Sequence, residues 1–168
     1  AGFTFDVMPV EIDERVRPSE GPADHVSRLA LAKAREIARR NPGRPVLGAD
    51  TVVVVDDRIL GKPQDRVEAA GMLTMLSGRG HDVLTGVAMC VDEREACEVA
   101  RTRVRFLQLS SAEIAWYVAS GEADDKAGAY AIQGLASRFV ESIEGSYSNV
   151  VGLPVATVYK LLRRLGAL

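Results

Sequence analysis

Apolar positions recur along the chain at two spacings, two residues or three to four, and the switches between them set the predicted elements. Phe3-Thr4-Phe5-Asp6-Val7 alternates and predicts a strand that an upstream element would feed. From Asp24, a fair N-cap, Val26, Leu29, Ala30, Ala34 and Ile37 form a helical stripe that runs out at Asn41-Pro42-Gly43. Lys33 falls on that stripe. Val46 to Val55 is a β-branched apolar run broken by one acid, Asp50, and Asp56-Asp57 turns it into Arg58-Ile59-Leu60 as a hairpin. Asp65 with Glu68 starts a second helix, which ends at Ser77-Gly78.

Strands are then expected over residues 82–91 and 98–106, joined by the charged tip Asp92-Glu93-Arg94-Glu95. Ser110 with Glu113 caps a third helix that stops at Gly121. Residues 124–134 have little periodicity and read as a loop with a turn of helix. Residues 139–143 and 146–151 read as short strands. Pro154, the stripe Val155, Val158, Leu161, Leu162 and Leu165, and Gly166 define a final helix. The expected fold is a single α/β domain over residues 1–168, with a mixed twisted sheet flanked by helices.

Composition narrows the class. At 168 residues with 47% hydrophobic and 26% charged positions, the chain can bury one substantial core, which excludes disordered, collagen-like and disulfide-stapled classes. Lys and Arg total 21 against 23 Asp and Glu, so no overall field favours a long nucleic acid, though a small anion remains possible. No stretch is long and apolar enough for a membrane span. Two cysteines, Cys90 and Cys97, without metal spacing, suit a reducing cytoplasm.

Asp50 is the sharpest chemical signal, because an acid inside so apolar a strand is costly to bury without a cation, backbone donors or a metal. Its neighbour Thr51 points to the opposite face of a regular strand. Lysines give a second signal: only Lys33, Lys62, Lys126 and Lys160 occur, against seventeen arginines, as if a compact ammonium were required where Lys survives. Lys160, near a helix C-terminus, is explained by the helix dipole. The other three, each equally compatible with snorkelling or a surface ion pair, together with a carboxylate suit a polyphosphate. Neither a Walker A loop nor a G-x-G-x-x-G fingerprint is present. In Ser77-Gly78-Arg79-Gly80-His81, the Arg and His reach either a phosphate or nothing beyond an ordinary turn, and His25 carries less weight. Glu14 is a candidate second metal carboxylate, and Gln133 offers an amide suited to a base edge.

Seven segments, taken in chain order, resemble the Maf family of nucleoside triphosphate pyrophosphatases, within the inosine-triphosphatase-like fold. They are Glu11-Ile12-Asp13-Glu14, Leu31-Ala32-Lys33-Ala34, Gly48-Ala49-Asp50-Thr51-Val52-Val53, Gly61-Lys62-Pro63, the run from Leu76 to His81, that from Asp125 to Gly134, and that from Gly145 to Pro154. The resemblance implies a two-lobed domain around a cleft, a homodimer, and hydrolysis of a nucleoside triphosphate to the monophosphate and pyrophosphate with Mg²⁺ or Mn²⁺. Asp50 matches the residue taken as general base, with Glu14 as the other metal carboxylate. Glu14, Lys33 and Lys62 match polar active-site positions, and Lys126 lies in a matching loop. Thr51 and Gln133 match positions of the branch that prefers dTTP and UTP, and Arg79 fits that branch's Ser-Gly-Arg-x-His pattern. The family pattern also begins with a strand and a Ser/Pro-rich loop carrying paired arginines, and this chain starts after them. A rival expectation is a non-catalytic nucleotide-binding regulator of cell division or septation, which would bind dTTP without releasing pyrophosphate.

Overall fold

A computed structural model describes residues 1–168. Helix α1 (Pro22–Arg40) opens the regular structure, followed by the hairpin β1 (Val46–Val55) and β2 (Arg58–Leu60). Then come α2 (Arg66–Leu76), the long strands β3 (Gly80–Val91) and β4 (Arg94–Phe106), and α3 (Ser111–Ala119). Two 3₁₀ turns, Ala127–Ala129 and Leu135–Phe139, lead into β5 (Val140–Glu144), α4 (Tyr147–Val151) and α5 (Val155–Arg164). The α/β reading therefore holds. The strands lie in the order β2-β1-β3-β4-β5, and every pairing is antiparallel where a mixed sheet was expected.

Local signals account for most boundaries. Asp65 Oδ1 accepts the Glu68 backbone N–H at 2.8 Å, and Ser110 and Glu113 cap each other reciprocally, so α2 and α3 begin where their caps require. In α1 the N-cap is Gly21 and Pro22 takes the first turn, so Asp24 sits inside the helix as a first-turn acid favoured by the helix dipole.

Two expected strands are absent. Residues 3–7 alternate but meet no neighbouring strand, and Phe5 and Val7 stand exposed; without a ladder to pair its amides, alternation alone does not make a strand. Residues 146–151 form α4 instead. Ser146 Oγ accepts the Asn149 N–H and Gly152 closes the turn at φ 118°, so capping overrides the β-branched pair at its end.

The apolar packing divides along the strands, as a two-lobed domain requires. At one end a cluster of 20 buried residues joins Val53, Val83, Val104 and Phe106 to α2, α3 and the 3₁₀ turns. At the other, Val87, Met89 and Val91 pack under α5, while on the opposite face Ala88 and Cys90 pack under Ala30 and Ala34 of α1. Between these ends the strands turn polar. Asp50 stands across from Gly86 on the α1 face, and Thr51 stands across from Thr85 on the other. No helix is long and apolar enough to cross a membrane.

Candidate active site

Glycines bring helix α1 onto the sheet. A Cβ on Gly48 would lie 2.3 Å from the Ala30 carbonyl oxygen, and one on Gly86 would lie 2.3 Å from that of Val26. Gly48 is two residues before Asp50 and Gly86 is its cross-strand partner, so both bare positions border the acid on the same face. Helix backbone therefore rests directly on strand backbone around Asp50, and Lys33 reaches it from above.

Lys33 Nζ donates to Asp50 Oδ1 at 2.7 Å and stands 2.7 Å from Glu14 Oε1, making one ammonium the bridge between two carboxylates. The Asp50 side chain is nearly buried, at 11% exposure, whereas Glu14, at 53%, lies on the open side. Burial raises the Asp50 carboxyl above its ordinary pKa, against the opposing pull of Lys33, so it holds a proton more readily than a surface aspartate. Glu14 is lowered, first by Lys33 and, more weakly, by the charge of Lys62. Burial pulls Lys33 down, but Asp50 and Glu14 outweigh it and keep the ammonium above its ordinary value. The two carboxylates thus differ: one is basic and enclosed, the other ionised and exposed.

Lys62 is exposed and forms no ion pair; its charge lowers Asp125 as well as Glu14, second in each case to a closer lysine. It stands between residues 10–20, an irregular strap that carries Glu14, and the loop that carries Lys126. That loop is tied to the end of β2 by the Gly128 N–H, which donates to the Gly61 carbonyl at 3.0 Å. Gly128 also has φ 68° and would place a Cβ 2.7 Å from a Val53 methyl, so only a glycine seats the loop there. Lys126 itself pairs with Asp125 at 2.5 Å on the surface.

Other sequence candidates are placed elsewhere. Arg79 does not join the cluster: it pairs with Asp56 at 2.5 Å, at the far end of β1, about 20 Å from Asp50 by strand rise. His81 is core. It is 1% exposed, its Nε2 meets the Tyr130 hydroxyl at 2.9 Å, and it packs edge-on against Phe106 and Tyr130. Burial pushes its pKa down to about 4. Thr51 faces away from Asp50, with its hydroxyl 2.9 Å from Thr85 Oγ1 and donating to the Gly152 carbonyl at 3.2 Å. Gln133 is exposed in the turn before the second 3₁₀ segment.

One group escaped the sequence reading. Arg28, Glu20 and His25 form a cluster beneath the strap, with Arg28 Nε and Nη2 on the Glu20 carboxylate at 2.6 and 2.9 Å and His25 Nδ1 on Glu20 Oε2 at 3.0 Å. Its signal was present in the pattern: His25 and Arg28, three apart, are neighbours on the helix beside the apolar stripe.

For a metal, the donor chemistry is that of a hard cation. No group of three or more His, Cys, Asp or Glu side chains is placed to enclose one. Lys33 engages a single oxygen of each carboxylate, however, so Glu14 and Asp50 each keep an oxygen without a protein partner. Two carboxylates fit Mg²⁺ or Mn²⁺, which take their remaining ligands from water and phosphate.

The chain is 51% identical over 170 residues to a dTTP/UTP pyrophosphatase of Geotalea uraniireducens, covering 100% of this chain and 88% of that protein. It is 52% identical over 165 residues to one of Symbiobacterium thermophilum, covering 98% and 85%. A third, from Koribacter versatilis, is 48% identical over 168 residues, covering 100% and 87%. The family model described as Maf-like protein matches residues 1–165, and the chain belongs to the Maf family.

Proposed function

We propose that the chain hydrolyses dTTP and UTP to the nucleoside monophosphate and pyrophosphate. The observation that carries this reading is the Lys33 ammonium at 2.7 Å from both Asp50 and Glu14, a charge centre in mid-sheet between the two apolar ends. Family membership and relatives at about 50% identity over nearly their whole length support the reaction.

Asp50 is the general base. Its raised proton affinity suits it to take a proton from water as the water oxygen bonds to the α-phosphorus and the bond to the β-phosphate oxygen breaks. Pyrophosphate leaves with that bond's electron pair. Lys33 and Lys62 face the non-bridging oxygens and offset charge that builds on them. A bound Mg²⁺ or Mn²⁺, held by Asp50 and Glu14, would supply further charge neutralisation. In this reading the exposed loop of Lys126 offers the Gln133 amide to the nucleobase. By the same resemblance we extend the reading to a cytoplasmic homodimer.

The test is pyrophosphate release from a panel of nucleoside triphosphates with Mg²⁺ or Mn²⁺. dTTP and UTP are expected to lead the panel. Release from purine triphosphates alone, or tight dTTP binding by calorimetry with no pyrophosphate formed, would defeat the proposal.

A further inference from the structure

Residues 10–20 cross above α1 as an irregular strap, and it is this strap that delivers Glu14. No strand or helix holds it there. Besides the Lys33 contact with Glu14 itself, its backbone is held by Arg28: Nη2 donates to the Arg15 carbonyl at 3.1 Å, and Nη1 reaches the Asp13 carbonyl at 3.5 Å, so the guanidinium grips the backbone on both sides of Glu14.

Arg28 is itself fixed from below. Glu20 is only 8% exposed and takes the Arg28 Nε and Nη2 on separate oxygens. The same carboxylate accepts the Arg17 backbone N–H at 3.0 Å and faces buried His25. A planar fork can serve a carboxylate on one edge and two carbonyls on the other, which a lysine ammonium cannot. Arg28 lies five residues before Lys33 on the same helix, so the side chain that holds the strap and the one that meets Glu14 share one rigid support.

We infer that Arg28, locked by Glu20, is a positioning residue that sets Glu14 against Lys33 and thereby completes the phosphate and metal site. This rests on the function proposed above for Glu14, but its decisive readout does not need turnover. In Arg28→Lys, which keeps a cation beside Glu20, backbone ¹⁵N order parameters of residues 13–16 should fall from rigid values of about 0.85 to below about 0.6, with α1 unchanged. Arg28→Ala should do the same more strongly. Should Arg28→Ala fail to fold, Glu20→Gln provides the second variant, loosening the same strap through its loss of charge.

In pyrophosphate release, Arg28→Lys should cost roughly 10- to 100-fold in kcat/KM. That loss should nearly vanish in a Glu14→Gln background, since the residue through which Arg28 acts is already disabled. A strap that stays ordered in both Arg28 variants, or an equal loss with and without Glu14, overturns the inference. Wild-type protein that releases no pyrophosphate would instead defeat the proposed function, and the order parameters would still decide the role of Arg28.

Discussion

The two faces of the sheet treat polar residues in opposite ways. On the α1 face Asp50 is ionisable, paired, and held against helix backbone by Gly48 and Gly86. On the other face, Thr51 of β1, Thr85 of β3, Thr102 of β4 and Asn149 of α4 form a neutral belt, and His81 is kept uncharged among aromatic rings. The contrast shows what a strand's two-residue period permits: adjacent positions of one chain segment can serve reaction chemistry and core stability separately. Charge is tolerated where a lysine and an open edge are available. Where neither is, hydroxyls and amides bond one another.

The largest break in this comparison comes from Asp50→Asn, which keeps the shape and removes the base. Turnover should fall by 10²- to 10⁴-fold, with KM for dTTP much less affected. In wild type, the acid limb of kcat/KM, which reports the free enzyme, should lie above the ordinary carboxylate value of 3.8, because burial raises Asp50; a limb below it would contradict the enclosed base.

The opposite face should show its character in stability. The unfolded chain protonates His81 near pH 6.5 and the folded chain only near pH 4, so its contribution is intact above pH 6.5 and lost as pH falls toward about 4. That amounts to up to about 3 kcal/mol. Denaturant titrations across this window should show the decline, and His81→Phe should flatten it.

Smaller, but informative about how the faces are joined, is Gly86→Ala. Its new methyl would meet the Val26 carbonyl oxygen and push α1 off β3, costing about 1–3 kcal/mol and lowering kcat by parting Lys33 from Asp50. Unchanged stability and unchanged turnover would mean that the close contact is dispensable.

Elements with local cues were legible in the sequence. The β1–β2 hairpin, the capped starts of α2 and α3, and the α5 stripe all carry their instructions within a few residues. The convergence of Lys33 on Asp50 was also readable, because an acid in a strand and a lysine on a helix stripe are each costly without the other.

Other tertiary partners were not readable. Arg79 is taken by Asp56, which is 23 residues away in sequence. Asn149 is buried by bonds from its amide to the Val83 carbonyl and Thr102 hydroxyl, so a segment that resembled a strand serves as a short capped helix. The expected strand at residues 3–7 failed for a related reason: alternation specifies which face is apolar, but it does not supply a pairing edge.

Because α1 touches β1 and β3 through main-chain atoms at Gly48 and Gly86, the spacing of the backbones that carry Lys33 and Asp50 is a property of the scaffold, and the flexible lysine stem closes only the remaining gap. Rotamer motion of that stem leaves the backbone spacing untouched, whereas a shift of the whole helix by about an ångström changes it directly. The reacting pair is therefore calibrated by how two backbones are stacked.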